Sequence, residues 1–288
     1  MRSYVISAFA EAESEGNLAG VVLLENEDAL SEMEMQQIAA QFNYSETAFV
    51  RQESEDTFSL RYFTPTKEVE LCGHATIAAF FLLKALNIIS DGEFHLITID
   101  DQLIIEVTGQ IIWLHMNTPT ICQKLSEEET RQLCEAYHLS ICDLSNNLQP
   151  RIVDAGLRDI QLCVRDHETL MRAVQDEKAV TDLSKALNVV GVHMYCPGTE
   201  ESGDDRPAAW CSNFAPYYGI AEECATGTSN AGLTWYLYQN HLLQANQIYY
   251  FLQGEHMGKP CRIYSLIKQT ESGEILMIGG SARIVRSI

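Results

Sequence analysis

The sequence predicts an α+β protein built twice over: two pseudo-symmetric domains, each a curved, mostly antiparallel sheet around a central buried helix. Three observations carry this expectation. The stretches ELCGHATIAAFFLLKAL (Glu70 to Leu86) and EECATGTSNAGLTWYLY (Glu222 to Tyr238) lie about half a chain apart, and each sets a cysteine beside small residues just before an apolar run. Ile77 to Leu86 is apolar at every position but Lys84, and Ala231, Leu233, Trp235, Tyr236 and Leu237 make the second run nearly as apolar; such helices are wrapped by other structure on all sides. Helix and strand patterns alternate irregularly around them, which favours an α+β arrangement with an internal repeat.

The elements follow in order. DALSEMEMQQIAAQF pairs Ser31 with Glu34 as a capping box and spaces Met35, Ile38 and Phe42 at helical intervals, so it reads as a surface helix. DTFSLRYFTP alternates Phe58, Leu60 and Tyr62 with polar neighbours until Pro65 stops it, the pattern of a strand. QLIIEVTGQIIWLHM reads as a hairpin turning near Thr108 and Gly109. A boundary falls near Asn117 to Pro119, giving domains 1–117 and 118–288, with the last strand a candidate to return to the first domain. LSEEETRQLCEAY then repeats the capped helix with Ser126 and Glu129. Strands are expected at PRIVDAGLRDIQLCV, VVGVHMYCP, AAWCSNFAP, QIYYFLQGE, PCRIYSLIK and GEILMIGGSARIVRS, and Gly198 to Pro207 reads as an exposed acidic loop.

Composition removes several classes of partner. In 288 residues, 19 Lys and Arg stand against 40 Asp and Glu, a formal charge of -21 that repels nucleic acid and anionic lipid. A carboxylate substrate would be repelled at long range too, so it needs strong local donors such as helix N-termini. Nine cysteines, without a C-x-x-C pair or an even framework, fit a reducing cytoplasm. The acidic N-terminus lacks the features of a signal peptide, and the longest apolar run, Ile77 to Leu83, is far shorter than the ~20 residues that cross a bilayer.

Aligning Cys72 on Cys224 places Thr76 on Thr228 and suggests two helix N-termini facing one cleft. Each terminus offers N–H donors to a carboxylate and favours a thiolate. Two such thiols on opposite sides of one carbon would racemise or epimerise it without a cofactor. Against this stands the use of cysteine as a small buried hydrophobe. His74 is either a donor or proton shuttle at the first terminus or a structural histidine. Glu46, in NYSETAFV, is either a base or, as the residues alone favour, a loop charge. Glu223 is a second carboxylate or a charge placed at a helix start. No Gly-rich nucleotide loop, H-E-x-x-H or G-x-S-x-G is present, so neither a cofactor nor a metal centre is expected.

Several stretches in sequence resemble the phenazine-biosynthesis isomerase-like (PhzF-like) family, a branch of the diaminopimelate epimerase-like fold: SAFAEAESEGNLAGVVLL, SETAFV, ELCGHATIA, ATGTSNAG, QGEHMGKPCRI and GGSARIV. The resemblance implies two domains, an interdomain active site, proton transfer at carbon of a small carboxylic acid, no cofactor, and a homodimer. By motif it makes Glu46 the principal general acid/base and lines the pocket with Gly73 and His74. Thr228 takes the place of a substrate-holding serine, and Ala75, Thr226 and Gly227 complete the substrate-binding set. Glu223 and Cys224 depart from the family's Asp-Pro, so the phenazine substrate does not carry over. Cys-Gly-His and Cys-x-Thr-Gly-Thr also resemble the paired-cysteine pattern of the proline racemase and diaminopimelate epimerase branches. A binding module that keeps the fold without turnover is the alternative from another class.

Overall fold

The computed structural model describes residues 1–12, 15–25, 30–198 and 206–288. The acidic loop expected at Gly198 to Pro207 lies, apart from its ends, outside the described residues. The chain divides into two compact units, Met1–His115 with Ile278–Ile288, and Met116–Met277. Among the described residues no helix is long and apolar enough to cross a membrane.

The first unit runs β1 (Arg2–Ala8), β2 (Asn17–Leu24), α1 (Glu32–Phe42), β3 (Glu46–Gln52), β4 (Thr57–Phe63), β5 (Glu68–Val69), α2 (Gly73–Ala85), β6 (Gly92–Ile97), β7 (Gln102–Thr108) and β8 (Ile111–Met116). The second follows with β9 (Thr120–Lys124), α3 (Glu127–Ala136), β10 (Arg151–Asp154), β11 (Arg158–Cys163), α4 (His167–Arg172), α5 (Glu177–Leu187), β12 (Gly191–Pro197), β13 (Ala209–Ala215), β14 (Ile220–Glu223), α6 (Gly227–Gln239), β15 (Ile248–Gln253) and β16 (Cys261–Thr270). β17 (Gly273–Gly280) returns the chain to the first unit, where β18 (Ala282–Ser287) pairs antiparallel with β1.

Strand pairing makes the duplication explicit. In the first unit β1 and β2 are antiparallel, β2 and β3 parallel, and β3 and β4 antiparallel; β4 then carries β5 antiparallel and β6 parallel, and β6 and β7 are antiparallel. The second unit repeats this sequence of relations from β10 to β16, with β14 and β15 flanking β13 as β5 and β6 flank β4. A long buried helix follows the short strand in both, α2 after β5 and α6 after β14. The parallel pairs need crossovers: α1 joins β2 to β3 and α2 lies between β4 and β6 in the first unit, while α4 and α5 join β11 to β12 and α6 lies between β13 and β15 in the second.

Local chemistry explains the elements. Ser31 and Ser126 each close a reciprocal capping box, with Glu34 and Glu129, satisfying backbone donors at the starts of α1 and α3. α1 buries Met35 and Ala39 against Val22, Phe49 and Phe63. Gly20 permits the close approach of α1's last turn: a Cβ there would lie 2.5 Å from Phe42 and 2.7 Å from the Thr47 hydroxyl. The β7–β8 hairpin turns at Gly109, whose φ of 56° suits glycine. α2 has no polar stripe because it packs against β1, β2, β3 and β18. α6 is as deeply buried but less apolar than its sequence suggests: Ser229, Asn230 and Thr234 are enclosed, and Thr234 meets the Ser265 hydroxyl at 2.8 Å.

Candidate active site

Two helix heads carry the residues singled out by sequence, one in each unit. In the first, Glu46 opens β3, aligned with Ala19 of β2 and next to Thr47, which pairs with Phe63 of β4. The strand therefore fixes its backbone and leaves the carboxylate at the strand's end. Cys72 is the N-cap of α2, and Gly73 and His74 are its first two residues.

These positions bring the Glu46, Cys72 and Ser45 side chains around His74. His74 Nε2 lies 3.3 Å from Glu46 Oε2 and 3.4 Å from the Ser45 hydroxyl, while His74 Nδ1 lies 3.4 Å from Cys72 Sγ. His74 is only 5% exposed and Glu46 22%, so the carboxylate is the member that meets solvent. Burial pushes the imidazole below its ordinary pKa, and the Glu46 charge pulls it partly back. A neutral ring has one donor and one acceptor nitrogen, which lets it connect the thiol and the carboxylate in a single hydrogen-bonded chain. Below it, Thr76 donates to the Cys72 carbonyl at 2.8 Å and meets the Tyr62 hydroxyl at 2.6 Å, holding the N-cap residue in place. A Cβ on Gly73 would have no atom within 4 Å, so the helix head has open room beside it.

In the second unit, Glu223 ends β14 and Thr226 is the N-cap of α6, followed by Gly227 and Thr228. The Thr226 hydroxyl donates to Glu223 Oε2 at 2.6 Å. Gln253, fully buried at the end of β15, organises this turn: its amide nitrogen donates to the Glu223 carbonyl at 2.7 Å and reaches the Thr226 hydroxyl at 3.1 Å, and its amide oxygen accepts from Asn230 at 2.7 Å. Cys224 is buried, and its pKa is lowered chiefly by the neighbouring Cys261 thiol, against the opposing effects of burial and the Glu223 charge.

The two helix heads do not match in the register expected from sequence. Cys72 is an N-cap, whereas Cys224 precedes the N-cap Thr226 by two residues, so the position equivalent to Cys72 is Thr226. The correct overlay sets Cys72, Gly73, His74 and Thr76 on Thr226, Gly227, Thr228 and Asn230. Its physical signature is a shared bond, because Thr76 and Asn230 each donate to the N-cap carbonyl four residues back, at 2.8 and 2.9 Å. The downward shift of the Cys224 pKa thus comes mainly from its hydrogen bond with Cys261 and not from a helix terminus. Glu223 likewise stands on a strand and not at a helix start. Ala75 is fully buried and presents no surface to a ligand, unlike the partly exposed Gly227 and Thr228. Ser45 and Gln253 escaped the sequence reading; Gln253 stands in the QGEHMGKPCRI stretch, where a glutamine before glycine was the available signal.

The phenazine biosynthesis-like protein family matches residues 6–287. A Deinococcus radiodurans protein described as an uncharacterized isomerase is 31% identical over 292 residues, covering 98% of this chain and 92% of its own. Among solved structures, a Bacillus anthracis phenazine biosynthesis protein of the PhzF family superposes with a TM-score of 0.87 at 22% identity, over 100% of this chain and 98% of that one. A hydroxyproline epimerase from Agrobacterium vitis superposes with a TM-score of 0.60 at 9% identity, over 100% and 91% of the two chains. These two likenesses are of fold: a duplicated α+β architecture of the diaminopimelate epimerase-like kind, common to PhzF-family proteins and proline racemase-like epimerases. With a family match over nearly its full length, the chain belongs to the phenazine biosynthesis-like, or PhzF-like, family of isomerase-related proteins.

Proposed function

We propose that the protein is a cofactor-independent isomerase that moves a proton at a carbon centre of a small carboxylic acid, cyclic or amino-bearing, with Glu46 as general acid/base. The observation that carries this reading is the 3.3 Å contact between the partly exposed Glu46 carboxylate and the buried His74 ring at the head of α2. The backbone N–H groups of that head supply the local donors that a carboxylate substrate needs in a chain of charge -21. Glu46 accepts the proton from carbon as a carboxylate and returns it to another carbon as the neutral acid. His74 orients Glu46 and passes the charge change toward Cys72. Gly73 leaves room for substrate beside Glu46; in the second unit Glu223, held by Thr226, is a second carboxylate, and Gly227 and Thr228 are the substrate-binding candidates at the head of α6.

One observation favours a second mechanism within the same reaction class. Cys72 occupies the N-cap of α2, where the helix stabilises a thiolate, which a two-thiol racemase or epimerase using Cys72 and Cys224 would employ. Solvent deuterium incorporation into a panel of cyclic and α-amino carboxylic acids separates the two. Exchange lost in Glu46→Gln but retained in Cys72→Ser and Cys224→Ser supports the carboxylate mechanism. Loss in both serine variants with Glu46→Gln active supports the thiols, and absence of exchange in the parent across the panel counts against an isomerase acting on these acids.

A further inference from the structure

We propose that His256 is a positioning residue for the helix head of the second unit: as an imidazolium it clasps Glu222 and so holds β14, and with it Glu223, in place. His256 lies in the turn Glu255–Met257, which follows β15. Its Nε2 atom meets the Met171 carbonyl of α4 at 2.9 Å, while Nδ1 lies 3.2 Å from the Ser212 hydroxyl of β13 and 3.4 Å from Glu222 Oε1 of β14. A carbonyl only accepts, so Nε2 carries a proton. In a neutral ring Nδ1 would then be an acceptor, turning a lone pair toward the Glu222 carboxylate. The imidazolium instead gives that carboxylate a donor. Glu222 Oε1 is enclosed by protein, where a charge without compensation is costly, so the pair favours the charged ring.

β14 is a short strand that relies on such side-chain support. It pairs with β13 at Asn213↔Glu223 and Ala215↔Ile220, with an irregularity between them, and Gln175 donates to its Ala221 carbonyl. Gln253 and His256, three positions apart in sequence, grip neighbouring residues of the strand: Gln253 donates to the Glu223 carbonyl at 2.7 Å, and His256 faces the Glu222 carboxylate. Releasing either grip loosens the strand that delivers Glu223 to the turn before Thr226. The surrounding charges agree with a protonated ring. Glu222 raises the His256 pKa above its ordinary 6.5, opposed by burial and helped by the Met171 carbonyl and Glu255. Glu255 itself meets His167 of α4 at 2.8 Å, and the buried Tyr137 lies near Glu222. The clasp is therefore complete below about pH 6.5 and is lost as pH rises through the raised value.

The test is hydrogen exchange read by mass spectrometry over residues 220–230, corrected for the intrinsic pH dependence of exchange. In the parent, protection should fall at least about threefold between about pH 6 and about pH 9. His256→Gln and Glu222→Gln should each show lower protection at the acid end and lose more than about half of that fall. Cys224 and Asp159 titrate near the same interval beside this turn, and a fall that they caused would persist in both variants. A ring with a merely structural role would lower protection in the variants without moving the pH response. Thermal unfolding checks that each variant is folded, and either one carries the test if the other is not. A parent whose protection does not fall, or a folded variant that keeps at least about half of the fall, overturns the proposal. The measurement needs no turnover, so it stands or fails apart from the proposed function; resting on that reading, KM for the carboxylate substrate should rise over the same interval.

Discussion

The carboxylate of Glu46 lies 3.3 Å from the Nε2 atom of His74, and the ring's other nitrogen lies 3.4 Å from the Cys72 thiol. One imidazole therefore touches both groups that can act as base in the first unit. A substitution at Glu46 leaves His74 with the thiol, and a substitution at Cys72 leaves it with the carboxylate.

Glu46→Gln keeps the size and hydrogen-bonding reach of the side chain but removes its basicity. Deuterium exchange into a substrate should fall by about 10²- to 10⁴-fold, the range of a lost general acid/base, while the unfolding midpoint stays close to the parent's. A residual rate within about threefold of the parent would remove Glu46 from the proton transfer.

Asp159 and His193, both buried in the second unit, should offset each other in acid. Burial raises the Asp159 pKa from 3.8 to about 6, against a hydrogen bond from Ser229, and lowers that of His193 from 6.5 to about 4. Between these limits folded Asp159 holds a proton that the unfolded chain releases, so its contribution to stability is lost as pH rises through about 6. Folded His193 lacks a proton that the unfolded chain binds, so its contribution is present above about 6.5 and lost as pH falls toward about 4. Asp159→Asn leaves the His193 dependence alone, and stability should then rise with pH more steeply than in the parent, by up to about 1.4 kcal/mol per pH unit. Urea midpoints between about pH 4.5 and 6 measure the difference, and parallel curves would refute it.

Gln253 should be costly to replace. Gln253→Leu leaves the Glu223 carbonyl and the Asn230 amide without their present partner in a buried setting, for an expected loss of about 2–4 kcal/mol in chemical denaturation. A loss below about 1 kcal/mol would mean that the turn holds itself.

Two glycines should respond in opposite ways to alanine. A Cβ on Gly191 would lie 1.9 Å from the Phe214 carbonyl oxygen, so Gly191→Ala should destabilise by about 3 kcal/mol or more as β12 and β13 are forced apart. Gly73→Ala meets no atom within 4 Å and should leave stability within about 0.5 kcal/mol of the parent while raising KM, since the methyl enters the space at the helix head. Equal thermal shifts in the two variants would contradict this.

What could be read beforehand was whatever depends on local spacing. The Ser31–Glu34 and Ser126–Glu129 boxes, the turn at Gly109 and the buried character of α2 are all written in short-range patterns. α4 and α5 went unread even though Asp166 and Asp176 cap them, because no capping box and no long apolar run marks their starts. The site was legible in its members more than in its arrangement. Cys224 and Cys72 look equivalent in sequence because each precedes an apolar run, but where a helix begins depends on backbone bonds made by partners as distant as Gln253.

β18 is made only after the whole second unit, yet it forms one side of the first: the Ser281 hydroxyl donates to the Ala10 carbonyl across 271 residues, and β18 lies along β1. During synthesis β1 therefore presents a bare backbone edge, and α2 lacks part of its cover, until the last strand arrives. Such distant closure slows folding and exposes an edge to other chains. The first unit begins first on the ribosome and finishes last, so a shortage of chaperones or a slow C-terminal segment should show as aggregation seeded at β1.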